Sequence, residues 1–192
     1  IEYCQKYDLI CNCAQTDVKG SRNPKYKRAY MQPDPDSFVH VVDTDVDGIG
    51  VDGKPCKGII VRGAKICNSN APYVDEIIVN PTKFTGPDDA DYAVAFALPG
   101  DWDGVKLMAL PGLHHKRTHL EAPFAKIGDV ESLTIFDDCF VPYDRVFMCG
   151  RDNEGVPRYA GYLALMFAHY HRHSYTGCKT AVSEVIASQA AL

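Results

Sequence analysis

Between Phe38 and Met148 the sequence is interrupted every few residues. Short runs of β-branched and aromatic side chains stop at Gly, Pro or Asp and then begin again. A chain punctuated in this way cannot sustain long helices, and its runs predict strands. Phe38 to Val42 is the first, with turn signals at Asp47-Gly48 and Asp52-Gly53. Gly58 to Ile66, Val74 to Val79, Tyr92 to Leu98, Val105 to Leu110, Leu133 to Phe136 and Arg145 to Met148 follow. In Tyr92 to Leu98, Val94, Phe96 and Leu98 alternate with alanines, the period of a half-buried strand. Short, regularly spaced strands without intervening long helices predict a closed or nearly closed β-barrel. Residues 1–35 read as the end of a helix and a polar loop. From about Arg158 the pattern turns helical: Pro157 suits a first helical turn, and Ala160 to Ala191 has no further proline. Both ends fall within predicted helices, so the chain reads as an internal fragment.

Composition narrows the function classes. The 192 residues are 46% hydrophobic and 23% charged, enough for a sizeable core. A net charge of −5 offers no broad electrostatic footprint for nucleic acid, and Lys25, Lys27 and Arg28 read as a solvated loop. No apolar run reaches the roughly 20 residues of a membrane span. Glu2, Lys6 and Asp8 interrupt the first apolar stretch, which excludes a secretory signal there. Of the eight cysteines, Cys4, Cys11, Cys67 and Cys139 sit in apolar or strand-like surroundings and predict reduced, buried thiols in a cytoplasmic protein. Cys11-Asn12-Cys13 lacks the two-residue spacer of redox or zinc pairs. No role is predicted for Cys56 or for His114 and His115.

The densest chemical signal is His169-Tyr170-His171-Arg172-His173-Ser174-Tyr175-Thr176-Gly177-Cys178-Lys179. On a helix with His171 as origin, Tyr175 lies at about +40°, Cys178 at about −20° and Lys179 at about +80°. These four therefore share one face, while His169 and His173 point away. An imidazole and a thiol two turns apart can ligate one metal centre, and a nearby Lys and Tyr can hold a carbonyl or phosphate, or move a proton. Gly177, unfavourable by about 1 kcal/mol in a helix interior, suits the close approach of something bulky. Spacing alone slightly favours the plainer reading: a buried Cys, a satisfied His and a snorkelling Lys. One His and one Cys are also too few ligands for a complete site.

The run from Tyr170 to Lys179 closely resembles the cluster-binding helix of the 4-hydroxybutyryl-CoA dehydratases. The resemblance implies that His171 and Cys178 are two of four ligands to a [4Fe–4S] cluster, the other two being a Cys-x-x-x-Cys pair expected outside this chain. It also implies catalytic roles for His171, Tyr175 and Lys179. Glu131-Ser132-Leu133-Thr134-Ile135-Phe136-Asp137-Asp138, followed by Phe140-Val141-Pro142, is similar to the segment bearing the family's catalytic glutamate, which falls at Glu131. Thr16-Asp17-Val18-Lys19-Gly20-Ser21-Arg22 resembles the family's flavin loop, implying FAD contacts from Thr16, Asp17, Lys19, Gly20 and Arg22. Val18 and Ser21 stand where the family has a proline and an acid. Beyond Val61-Arg62-Gly63-Ala64-Lys65, Ser69 takes the place of a threonine that hydrogen-bonds the flavin.

The resemblance implies an α+β, acyl-CoA dehydrogenase-like fold in three parts. Residues 1–15 end an N-terminal helical domain, 16–152 form a β-barrel flavin and substrate domain, and 153–192 begin a C-terminal helical domain. It implies a lyase that converts 4-hydroxybutyryl-CoA to crotonyl-CoA by a radical route with FAD and the cluster, and isomerises vinylacetyl-CoA as a side activity. An acyl-CoA substrate and a homotetramer follow, and no nucleic-acid or membrane partner is expected. The fragment alone is expected to be inactive. Three alternatives stay open: a reduced-flavin monooxygenase like the related 4-hydroxyphenylacetate 3-hydroxylases, a dehydratase relative with a different hydroxyacyl-CoA substrate, and a non-catalytic flavoprotein fragment.

Overall fold

A computed structural model describes residues 2–18, 20, 35–81, 87–110 and 130–150. A short helix α1 (Glu2–Tyr7) leads into strand β1 (Cys11–Ala14). Then come β2 (His40–Ile49), β3 (Pro55–Lys65), β4 (Glu76–Val79), β5 (Val94–Pro99), β6 (Val105–Ala109), β7 (Ser132–Pro142) and β8 (Val146–Cys149). The predicted helix from Ala160 onward lies outside the described residues.

Each run predicted as a strand contributes to one, and two sheets of four strands result. The first has the order β1-β4-β5-β8 and the second β2-β3-β7-β6. β1 runs parallel to β4, and every other pairing is antiparallel. One apolar cluster draws on both sheets: Ala14, Ile77, Val79, Val94, Phe96 and Leu98 from the first, and Val41, Ile59, Val61, Phe136, Cys139 and Val141 from the second. Phe96 and Phe136 meet edge to face across the seam, with centroids 5.3 Å apart. Each buried ring is worth about 1.5–3 kcal/mol by transfer, and the aromatic geometry adds to that.

The predicted barrel is not formed. Among the described residues no ladder joins the two sheets, so the strands make two facing layers instead of a closed ring. At one corner an isolated bridge, Asp17 with Lys65, links the chain leaving β1 to the end of β3. Local readings change too. Residues 11–14, part of the stretch read as a helix end and polar loop, are a strand. Asp47-Gly48 is no turn but part of β2, and a Cβ on Gly48 would fall 2.5 Å from the Phe140 ring. That glycine is there for close packing, whereas Gly53 does turn the chain, with φ +78. β5 is buried on both faces, because Ala93 and Ala95 form a second cluster with Met148.

The cysteines divide by position. Cys139 is buried, and burial pushes its thiol up to about 11. Cys11 and Cys67 are exposed, contrary to the burial predicted from their strand-like neighbours, and Cys4 is half-buried. The described cysteines are all free thiols. No helix among the described residues is long and apolar enough to cross a membrane.

Two positions carry the layers and can be tested. Gly63 in β3 has φ +126, and a Cβ there would lie 2.4 Å from backbone atoms of Phe38. Gly63→Ala should lower unfolding free energy by about 2–4 kcal/mol in denaturant titrations, since both backbone strain and overlap oppose it. The buried Glu76 carboxylate accepts from Arg145 Nη1 at 2.7 Å on both oxygens. Arg145→Met leaves that charge uncompensated and should cost about 3–5 kcal/mol by the same measurement.

Candidate functional site

The polar residues excluded from the apolar seam gather where β3 ends and β7 begins. After β3 the chain bends through two non-glycine residues in left-handed conformation, Cys67 (φ 55) and Asn70 (φ 60). Asn tolerates that region because its short amide can bond locally. The bend is tied to the start of β7 by a run of hydrogen bonds. Asn68 N donates to Ser132 O at 3.1 Å and Asn70 N to Val130 O at 2.7 Å. Ser132 Oγ donates to Asn68 O at 3.0 Å. Asn68, 1% exposed, donates its side-chain amide to Thr134 Oγ1 at 2.8 Å and to Lys65 O at 3.1 Å.

This arrangement brings Ser69 and Glu131 together across 62 positions of sequence. Ser69 Oγ donates to Glu131 Oε1 at 2.5 Å. The other carboxylate oxygen, Oε2, is buried and has no hydrogen-bond partner among the described residues. A buried acceptor left in that state is unfavourable by about 1–3 kcal/mol, and a bound donor would relieve it. Asn12 of β1 donates its side-chain amide to the Ser69 carbonyl, so the first sheet also holds this loop. Ser69 itself remains exposed.

A second group lies at the corner between the sheets. Lys65 ends β3, is 2% exposed, and pairs with Asp17 Oδ1 at 2.6 Å. It also donates to Gln15 O at 3.1 Å and to Asn80 O at 2.9 Å. Ile66 N donates to Thr16 O at 2.8 Å, so the chain leaving β1 runs directly beside the chain leaving β3. Thr16 and Gly20 are exposed, whereas Asp17 is buried with its carboxylate turned into the corner. Asn80 also donates to Cys13 Sγ at 3.4 Å. Burial raises the Cys13 thiol, against the opposing pull of the Asn80 amide and the Lys65 ammonium.

Of the residues singled out from sequence, Ser69 and Glu131 are in contact, Thr16 and Asp17 lie at the corner beside Lys65 and Ile66, a few residues before Ser69, and Gly20 is exposed. Lys19, Arg22, His171, Tyr175, Cys178 and Lys179 lie outside the described residues. Among the described residues no group of three or more His, Cys, Asp or Glu could hold a metal ion. Sequence reasoning passed over Asn12, Lys65, Asn68 and Asn80. Lys65 was findable: Ile59, Val61, Gly63 and Lys65 share a face by strand alternation, which puts a lysine among inward residues. A separate groove of about 840 Å³, with Trp102 and Asp137 in its wall, contains none of the predicted site residues.

A family model described as 4-hydroxyphenylacetate 3-hydroxylase N terminal matches residues 1–148. The chain is 37% identical to 4-hydroxybutyryl-CoA dehydratase/vinylacetyl-CoA-Delta-isomerase of Clostridium aminobutyricum, over 100% of this chain and 36% of that protein. The fold is similar to that of an oxygen-tolerant archaeal 4-hydroxybutyryl-CoA dehydratase from N. maritimus. There the TM-score is 0.67 at 30% identity, over 91% of this chain and 32% of that one. It is also similar to the oxygenase component of 4-hydroxyphenylacetate 3-monooxygenase complexed with FAD. That likeness has a TM-score of 0.63 at 29% identity, over 83% and 30% of the two chains. The chain spans about a third of the length of these proteins. With the family model matching most of its length, the chain belongs to the 4-hydroxyphenylacetate 3-hydroxylase family, in which it resembles the 4-hydroxybutyryl-CoA dehydratases.

Proposed function

We propose that this chain is part of an enzyme that dehydrates 4-hydroxybutyryl-CoA to crotonyl-CoA with FAD and a [4Fe–4S] cluster, and isomerises vinylacetyl-CoA as a side activity. The contact between Ser69 and Glu131 carries the reading. The family resemblance gives one of these residues to the flavin and the other to catalysis, and the fold brings them within a hydrogen bond.

The described residues fit a flavin. An exposed hydroxyl at Ser69 stands beside a carboxylate with one buried oxygen unpartnered, and Thr16 and Gly20 expose the adjoining segment. Ser69, Thr16, Gly20 and, from the same loop, Lys19 and Arg22 would hold it, and the bound flavin supplies one-electron oxidation and reduction. An imidazole and a thiolate are suitable donors to iron, so His171 and Cys178 would hold the cluster, which supplies Lewis acidity at the departing hydroxyl.

The chain's own groups would carry part of the proton traffic. The substrate loses an acidic C2 proton, a far less acidic C3 proton and hydroxide from C4, and C4 regains one proton to become the methyl group of crotonyl-CoA, so that the net loss is water. His171, with its imidazole free of the iron, would take the C2 proton as general base. With Oε1 engaged by Ser69, Glu131 has Oε2 left to accept from the C4 hydroxyl or, when protonated, to deliver a proton to it as it leaves. Tyr175 and Lys179 would orient the thioester and stabilise charge developing on its carbonyl oxygen.

The likeness to a monooxygenase component holding FAD favours a second reading, hydroxylation of an aromatic substrate by reduced flavin and oxygen. Iron separates the two. In the full-length protein, His171→Ala should lose iron, acid-labile sulfide and crotonyl-CoA formation together. Glu131→Gln should keep its FAD and lose about 100-fold or more in turnover. Wild-type turnover by Glu131→Gln would remove that residue from the mechanism. An iron-free protein that consumes oxygen with reduced flavin would establish the second reading.

A further inference from the structure

Lys65 stands on a strand face where the preceding inward positions are Ile59, Val61 and Gly63, all buried. A buried ammonium is tolerated when each of its protons finds an acceptor and its charge finds a counter-ion. Lys65 meets both conditions with Asp17 Oδ1, Gln15 O and Asn80 O. An ammonium has three donors, enough for one to each of these acceptors.

The acceptors come from two further segments. Gln15 and Asp17 flank Thr16, whose own carbonyl is taken by Ile66 N. Asn80 follows the end of β4. One side chain therefore joins the exit of β1, the exit of β4 and the end of β3, in the register of the Asp17–Lys65 bridge. An apolar residue at this position could fill the same space but would leave two buried carbonyls without this donor and would not fix that register.

We propose that Lys65 is a positioning residue for bound flavin: through Asp17 and Gln15 it fixes the exposed Thr16 between them relative to Ser69, so that both reach one cofactor. The proposal rests on the flavin reading above and adds a residue that does not touch the cofactor. Asp17 takes the same part from the other side, holding the loop with its carboxylate while Thr16 and Gly20 face outward.

The test uses the full-length protein and FAD itself. Asp17→Asn/Lys65→Met removes both charges together, so no uncompensated charge remains buried, and it keeps the test open should Lys65→Met alone fail to fold. Binding is followed by fluorescence well below the melting temperature of each variant, together with the visible flavin spectrum. The folded double variant should bind FAD with Kd raised about tenfold or more, since small misplacement of a binding group is costly, and its absorption band should move toward that of free FAD. A double variant with wild-type Kd and spectrum, beside a Ser69→Ala protein that binds weakly, would overturn the proposal and leave the flavin reading intact. A wild-type protein that binds no FAD would overturn both.

Discussion

The seam around Phe96 and Phe136 is the constraint on which the rest of the chain depends. Neither sheet can be stable with its apolar face in water, and each supplies about half of the cluster that covers the other. Close packing between them leaves little room for polar atoms, so those the chemistry needs are displaced to the end of the seam. There they are satisfied by one another: Lys65 by Asp17, Asn68 by Thr134, Ser69 by Glu131. The candidate site is thus the polar margin of a dry interface, held by strands from both layers.

The positions of most strands along the chain were legible, because period-two alternation and turn residues are local signals. Closure was not, since whether two sheets share a ladder depends on edges far apart in sequence. Gly48 shows how a local signal can mislead: Asp-Gly reads as a turn, yet the glycine is needed beneath the Phe140 ring. The alanines of β5 read as a half-exposed face, but Met148 from β8 covers Ala93 and Ala95. β1 was missed because four residues with two cysteines and an asparagine carry almost no periodicity, and pairing with β4 decides their conformation.

The site was legible in a different way. Ser69 and Glu131 were identified by resemblance to a family motif, and nothing in their spacing announces that they touch. Their meeting depends on the left-handed bends at Cys67 and Asn70 and on the bonds to Val130 and Ser132. Lys65 was open to a purely physical reading, since a lysine on an inward strand face demands a buried partner. Asn12 was not legible, because its partner, the Ser69 carbonyl, lies far along the sequence and no local pattern marks the contact.

The parallel pairing of β1 with β4 bears on how the molecule assembles. Cys11 faces Glu76, so this pairing closes a loop far longer than the one joining β2 to β3. Contacts distant in sequence form against a larger entropic barrier than neighbouring hairpins. The amide of Asn12 and the acceptors at Gln15 and Asp17 reach their places when this first segment docks. A partly opened molecule can therefore retain the second sheet while the segment around β1 is undocked, which leaves Lys65 and the Ser69 carbonyl without their partners from that segment.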